Sequence, residues 1–485
     1  MLQNPGRFLF LASITVLITC GSGWGAVSPG PLDGAMALAP SPEARQAWRA
    51  VLPLRSIDAI ESWHLVEGYL YAIGNEGSAH CIRVDTGRLL WSRRLTNPPG
   101  TIYPPVPYRS PEFYAVAFTL SSEVVLLDPE TGSEFKRIRL QSPASASAGN
   151  SPGFIYSAET NRHIRAYDLK DNVMVWQILM DGPVSVPPVY QPDLTDGTSP
   201  VATLVMADGS GQFGMVWADD KELVYAHKLG GEPQGEIATD GTHFFVATSD
   251  NLVNCLDRKT GETLWSYRLP AKPDGAPVIC RGSIYQAVAP SGLQRIGIER
   301  DRPNWFAPDA VQFLAEWNGR PVVLLNDRQV AILDPLTGEA VAFVQTGEVV
   351  QALSNPINEA LFLVSPAGEA RCMLPAGTSP ASLAALRPAT TQPASAEAGT
   401  GSDSDQPTTR PALVRKPKQT DDIPLWVRSS GTHQQSGDSG VRRSTRSSRG
   451  DRSAGSSRSS RRSRGDRSSR ESRGGRSRSR GGRAP

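Results

Sequence analysis

Apolar and polar positions alternate in short runs through the middle of the chain, and polar turns separate the runs. Within residues 251–269, one run contains Leu252, Val253, Cys255 and Leu256, and a second, after a polar turn, contains Leu264, Trp265, Tyr267 and Leu269. Two runs of this length joined by a turn predict a β-hairpin.

The turn of this hairpin has a chemistry that the chain repeats. Asp257 can accept a hydrogen bond from the backbone two residues further on, and Gly261 supplies a positive φ. The same spacing of aspartate and glycine recurs at Asp128–Gly132 and Asp334–Gly338, and Gly87 ends a partial copy. The hairpin is therefore the unit of an internal repeat.

Aromatic residues follow these turns at a fixed offset. The fourth residue after the turn, here called the wedge position, is a tryptophan in four units: Trp91, Trp176, Trp265 and Trp305. Other units place Tyr225, Lys136 and Ala342 there. An indole that recurs at one offset favours packing between neighbouring units over ligand binding.

The spacing of the units predicts the architecture. Thr86 and Thr337 lie 251 residues and six intervals apart, and about 42 residues per interval is the length of a four-stranded propeller blade. We expect an all-β, eight-bladed β-propeller of four-stranded antiparallel blades over residues 46–375. Seven blades is the alternative, because the units around Asp220 and Asp301 lack the turn motif. The predicted blades are 55–95, 103–140, 145–179, 186–229, 236–269, 276–306, 311–344, and 350–374 together with 46–53.

The two ends of the repeat region complement each other. Residues 46–53, which include Trp48, form a strand with nothing before it to complete, and only three strands precede Pro375. The pattern predicts that the N-terminal strand completes the last blade. Such closure removes the free edges of an open array.

The repeated turn and tryptophan resemble the signature of the quinoprotein-like propellers built from PQQ-type repeats, G-x-L-x-A-L-D-x-x-T-G-x-x-x-W. Dehydrogenases of that family have adjacent cysteines and a Glu, Asn and Asp set for calcium. This sequence has no Cys-Cys pair, and no calcium set carries over onto it. The resemblance is therefore to the non-enzymatic, BamB-like members, and we expect no cofactor and no catalytic site. A quinoprotein-like oxidoreductase is the lower alternative.

Cysteine and histidine positions give little sign of metal or disulfide chemistry. Cys81, Cys255 and Cys372 each follow an aromatic residue by ten positions, which predicts one buried site in the blade that requires a small side chain. No disulfide framework is evident. The six histidines do not recur in the repeat and show no ligand spacing with Cys or Asp.

The N-terminal segment has the features of an export signal. Arg7 precedes a 13-residue apolar run, Phe8–Cys20, and small residues follow it. We expect a signal peptide over residues 1–26 and a spacer over 27–45. Lipidation at Cys20 and retention as an N-terminal membrane anchor are the alternatives.

The C-terminal segment changes in composition after Pro375. Residues 376–440 form a Pro/Ala/Thr/Ser-rich stretch that we expect to be disordered, interrupted by the apolar island 422–428. Residues 441–485 are an Arg/Ser/Gly-rich tail, also expected to be disordered, with sixteen arginines against three acidic residues. Its net charge is +13, so the other 440 residues carry −11 of the chain's +2.

Two functions of different class fit these features. The first is an exported scaffold that binds envelope proteins through the propeller faces. The second is a propeller module that binds a ligand or glycan. In both, the basic tail is expected to contact polyanions or an anionic membrane surface, with nucleic acid ranked lower because the tail has no aromatic residues for base stacking.

Overall fold

The computed structural model describes residues 44–56, 58–195, 200–299, 304–346, 351–380 and 383. These residues form eight four-stranded antiparallel sheets, and every repeat unit of the sequence corresponds to one sheet. The prediction of eight blades is confirmed, and the seven-bladed alternative is wrong. The units around Asp220 and Asp301 keep their strands although they lost the turn motif.

Blades 1 to 4 follow one another along the chain. Their strands are β2 (Ile60–Val66), β3 (Tyr69–Gly74), β4 (Ser78–Arg83) and β5 (Arg88–Arg94); β6 (Val106–Arg109), β7 (Tyr114–Thr119), β8 (Glu123–Leu127) and β9 (Glu134–Arg139); β10 (Gly149–Ser151), β11 (Phe154–Ala158), β12 (His163–Asp168) and β13 (Val173–Leu179); and β14 (Val189–Thr195), β15 (Pro200–Ala207), β16 (Gln212–Trp217) and β17 (Leu223–Lys228).

Blades 5 to 8 continue the same order. Their strands are β18 (Ala238–Thr239), β19 (His243–Thr248), β20 (Leu252–Asp257) and β21 (Thr263–Arg268); β22 (Val278–Cys280), β23 (Ser283–Ala287), β24 (Leu293–Gly297) and β25 (Trp305–Ala307); β26 (Ala310–Trp317), β27 (Arg320–Leu325), β28 (Val330–Leu333) and β29 (Ala340–Val344); and β30 (Gln351–Leu353), β31 (Leu361–Val364) and β32 (Glu369–Pro375) with β1 (Ala44–Val51).

Blade 8 is assembled from both ends of the repeat region. Strand β1 pairs antiparallel with β32, from Ala44 opposite Pro375 to Val51 opposite Glu369. Arg49 adds an ion pair to Glu369 with an N–O distance of 2.9 Å. The predicted closure by the segment around Trp48 is confirmed.

The hydrophobic core lies between the blades. Each pair of neighbouring blades shares one apolar cluster, and the cluster of blades 8 and 1 contains Trp48, Phe362 and Leu70. The first strands of neighbouring blades contact each other, for example β2 with β30 and β10 with β14, so they lie at the centre of the ring. The fourth strand of each blade is therefore at the outside.

A row of three residues crosses the second, third and fourth strands of most blades. In blade 1 it is Tyr71, Cys81 and Trp91, which lie opposite one another in the two strand pairs. The two rings meet over the small thiol, with centroids 6.1 Å apart. Cys255 and Cys372 occupy the same position in their blades, so the predicted common cysteine site is confirmed. All four described cysteines are free and buried.

The chain continues beyond the last strand. Leu383 lies within the stretch that the sequence assigned to the linker, and its side chain is fully buried against the core of blades 8 and 1.

Candidate protein-interaction surface

The repeated turns are built as their residues require. The Oδ1 atom of Asp128 accepts the backbone N–H groups of Glu130 and Thr131 at 2.7 and 2.9 Å. Asp257 and Asp334 each accept the corresponding pair of backbone N–H groups. These turns lie between the third and fourth strands of their blades, so each turn leads directly into an outer strand.

In five blades an aromatic side chain, at the wedge position or, in blade 8, Trp48 at the matching place on β1, joins the blade to the turn of the next. The indole Nε1 of Trp91 donates to the carbonyl of Pro129 at 2.9 Å. The same bond runs from Trp48 to Val84, from Trp176 to Ala218 and from Trp305 to Pro335. The turn glycines Gly87, Gly132 and Gly338 lie so close to these indoles that a Cβ there would be 2.6–2.8 Å from a ring atom. Gly261 meets Tyr225 in the same way, and Trp265 packs on Phe245 and is only partly buried.

Blade 8, which closes the ring, receives two further indole hydrogen bonds. Trp63 on β2 donates to the carbonyl of Ser365 at 3.1 Å, and Trp317 on β26 donates to that of Glu359 at 2.6 Å. Sequence reasoning missed both because these tryptophans lie on first strands, outside the repeat offset.

The contact between blades 2 and 3 departs from this pattern. Lys136 occupies the wedge position, and its Nζ reaches the carbonyl of Lys170 at 3.5 Å. The row across blade 2 is Ala117, Leu126 and Lys136, without any aromatic ring. A groove of about 590 Å³ remains there. Its lining includes Tyr108, Glu112, Phe113, Phe135, Leu169 and Lys170.

Strand β13, the outer strand of blade 3, begins at the edge of this region. Its seven residues, VMVWQIL, include no charged side chain. Val173, Met174, Val175 and Leu179 have exposed fractions of 52, 39, 50 and 37%. Among the described strands β13 pairs with β12 alone, so its other edge has no strand partner, although Lys221 of blade 4 donates from Nζ to the Gln177 carbonyl at 3.3 Å.

Other outer strands are protected in the way edge strands usually are. Strands β1, β5, β9, β17 and β21 each carry at least one Arg or Lys, and charges on an edge oppose pairing with another chain. The uncharged outer strands β25 and β29 are shorter, at three and five residues. Strand β13 is therefore the long outer strand that carries no charged residue of its own.

A buried polar network holds β13 against its own blade. The Arg165 guanidinium pairs with the Glu159 carboxylate and donates from Nε to the Gln177 side-chain oxygen on β13 at 3.0 Å. Tyr167 donates its hydroxyl to Glu159 at 2.8 Å. Burial raises the pKa of Glu159 above its ordinary value. Because each member of the network has partners, it makes β13 a rigid edge.

The described part of the chain shows no cluster of the usual metal ligands. Within it, no group of three or more His, Cys, Asp or Glu side chains could hold a metal ion. Burial raises the pKa of the Cys255 and Cys372 thiols to about 12, which leaves them unreactive.

The predicted targeting and tail segments fall outside the described residues. The signal over 1–26, the alternative lipid site at Cys20, the island 422–428 and the basic tail 441–485 all lie there. In the ranges that are described, none of the elements is a helix with the length and apolar character of a membrane span.

The ring of eight four-stranded blades, with its repeated turns and wedge residues, defines a β-propeller of the PQQ-type repeat class. Residues 75–220 and 214–357 match the model of the family described as outer membrane protein assembly factor BamB. The chain belongs to this family. No curated protein matches it in sequence.

Solved structures share the fold at low sequence identity. BamB from Moraxella catarrhalis is 13% identical, with a TM-score of 0.52 over 68% of this chain and 99% of that one. The computationally designed protein Ika8 gives 14% identity and 0.51 over 67 and 98%, and the C-terminal WD40 domain of Sif2 gives 12% and 0.52 over 70 and 99%. These likenesses concern the fold alone.

Proposed function

We propose that the protein is an exported, non-catalytic scaffold of the cell envelope that binds protein partners along strand β13. Membership in a family described as an outer membrane protein assembly factor supports the scaffold role. The apolar run Phe8–Cys20 with its flanking residues supports export. Free, buried thiols and the absence of a metal-ligating group from the described residues are consistent with a non-catalytic role.

The observation that carries this proposal is the uncharged, open edge of β13. An exposed sheet edge offers unpaired backbone N–H and C=O groups to an extended segment, and alternate side chains add specificity. Val173, Val175 and Leu179 would supply the apolar contacts. The partner segment that fits is an extended strand with apolar side chains at alternate positions.

The chain offers a closely matched pair of variants for the test. Val175 precedes Trp176 and is 50% exposed, and Leu264 precedes Trp265 and is 51% exposed. In Val175→Arg, a charge enters the proposed contact, where an unpaired charge is costly to bury. We expect partner capture from envelope extract to fall at least about tenfold. Leu264→Arg places the same charge on blade 5 and should leave capture unchanged.

Two outcomes would count against the proposal. Equal loss of capture in both variants would mean that the arginine acts nonspecifically. Full capture by Val175→Arg would remove β13 as the docking edge, while leaving a scaffold role through another face open to the same assay.

We further propose that the tail 441–485 binds anionic surfaces of the envelope. Its net charge of +13 supports this, since a polycationic segment near an anionic membrane gains about 1 kcal/mol per basic residue close to the surface. Nucleic acid would be bound by the same charges, without the base stacking that strengthens single-strand binding.

A further inference from the structure

The groove between blades 2 and 3 lies at a wedge position that has no aromatic side chain. At the contact of blades 1 and 2, Trp91 covers Gly132 and donates to the Pro129 carbonyl. The contact of blades 2 and 3 has Lys136 in place of the indole, and a groove of about 590 Å³ is left between the blades. That volume lies within the roughly 300–1,000 Å³ typical of ligand pockets.

The groove combines an aromatic wall with a charged rim. Phe113 lies between Tyr108 and Phe135, with ring centroids 5.4 and 4.8 Å away. Phe135 is 44% exposed. The lining also includes Lys136 and Lys170, and Glu112. A ligand that fits would present a large apolar or aromatic group together with acidic groups.

We propose that the chain's own segment Asp421–Arg428 docks in this groove and supplies the missing indole from Trp426. The segment reads DDIPLWVR, so three aliphatic residues flank the tryptophan. Asp421 and Asp422 complement the two lysines of the groove, and Arg428 complements Glu112. Aromatic pairs add about 0.5–1.5 kcal/mol beyond the burial of their area.

The sequence of the segment favours the groove over the open edge of β13. Pro424 has no backbone N–H and cannot continue a ladder of strand hydrogen bonds. Insertion of a side chain into a groove needs no such ladder.

The connecting chain is long enough to reach the groove. Leu383 is buried against blades 8 and 1, and Trp426 follows it by 43 positions. A random-coil chain of that length would have a root-mean-square span of about 35 Å, and a fully extended one would span much more. Tethering on this scale gives an effective concentration in the millimolar range, so even a weak contact would be populated.

Fluorine NMR on the full-length chain labelled with 5-fluorotryptophan tests the proposal. The Trp426 signal is identified as the one lost in Trp426→Phe. We expect that signal to be broad and displaced from the position of free fluorotryptophan. Lys136→Trp fills the groove from within, so it should return the Trp426 signal to the free position.

Two further variants keep the test decisive if the filled groove disturbs folding. Lys136→Glu reverses the charge that faces Asp421 and Asp422 and should lower the bound-to-free ratio about twofold to fivefold. Leu413→Ala removes an apolar residue elsewhere in the same stretch and should change nothing.

A narrow Trp426 signal at the free position in the unmodified chain would overturn the proposal. So would a displaced signal that neither Lys136 variant moves, because the segment would then dock elsewhere. The measurement uses no partner, so its failure leaves the proposed role of β13 untouched.

Discussion

Gly338→Ala tests whether the turn requires a glycine because the wedge indole of the preceding blade packs directly against it. Gly338 has φ of 77°, and a Cβ built on it would lie 2.7 Å from Cδ2 and Cε3 of Trp305. Gly319 also has φ of 77°, but a Cβ there would meet nothing within 4 Å. The two alanine variants therefore share the backbone strain and differ in the clash.

The magnitudes follow from these contacts. A Cβ in the left-handed region costs about 1–2 kcal/mol, which is the whole loss expected for Gly319→Ala. In Gly338→Ala the indole must also move away, and overpacking of this kind costs about 1–3 kcal/mol. The Pro335 carbonyl keeps its bond from Arg295 at 2.7 Å, so the lost indole bond adds at most about 1 kcal/mol. We expect a total loss of about 3–5 kcal/mol for Gly338→Ala.

Urea unfolding of the two full-length variants measures the difference. The slope of the unfolding free energy against urea concentration should be unchanged in both variants. The urea concentration at the midpoint should fall further for Gly338→Ala than for Gly319→Ala. Replacing Trp305 by a smaller residue in the Gly338→Ala background should recover part of the loss. Equal midpoints for the two glycine variants would refute the explanation that the turn glycine recurs because it makes room for the indole.

Three further predictions concern the seam, an inner strand and the tail. Trp48→Ala should lower the unfolding free energy by roughly 3–5 kcal/mol because the indole is 9% exposed and bonded to blade 1. Arg49→Ala, whose ion pair is exposed, should leave the midpoint almost unchanged in the same urea assay. Burial lowers the pKa of His64 on β2 to about 4. The contribution of the neutral, buried imidazole to stability is therefore complete above the unfolded pKa near 6.5, and it is lost as pH falls toward 4. The unfolding free energy should be about 1–2 kcal/mol lower at pH 5 than at pH 7, after allowance for the partial exposure of His64. This difference should be smaller in His64→Gln. Full-length protein should bind anionic vesicles in flotation assays, and the bound fraction should fall steeply between low and physiological salt. Binding that does not change with salt, or that survives removal of residues 441–485, would contradict the role of the tail.

Much of the architecture was predictable because its determinants are local. The Asp and Gly of each turn and the fixed offset of the wedge residue are readable in the sequence, and their period gives the blade. Trp48 at one end and three strands at the other predicted the closed ring. The ten-residue offset between Tyr71 and Cys81 predicted one common buried site, and the structure adds that the two residues lie opposite each other on neighbouring strands.

The candidate surface was less accessible to sequence reasoning because exposure depends on neighbouring blades. The uncharged run VMVWQIL could have been noticed, but the wedge Trp176 within it suggested an ordinary repeat strand. Only the paired strands show that Val175 faces outward on an open edge. The groove between blades 2 and 3 exists because Lys136 stands where most blades have an aromatic residue. Its aromatic wall joins Phe135, next to Lys136, to Tyr108 and Phe113, which the sequence pattern does not connect to the turn motif.

Site-specific photocrosslinking tests the central claim, that the edge of blade 3 binds a protein partner, most directly. A photoreactive phenylalanine analogue would replace Val175 or, as the matched control, Leu264 in the full-length chain within its native cells. We predict a discrete adduct of defined mass from position 175 and none from position 264. The same adducts from both positions, or no adduct from position 175 under conditions that retain the partner, would contradict the claim.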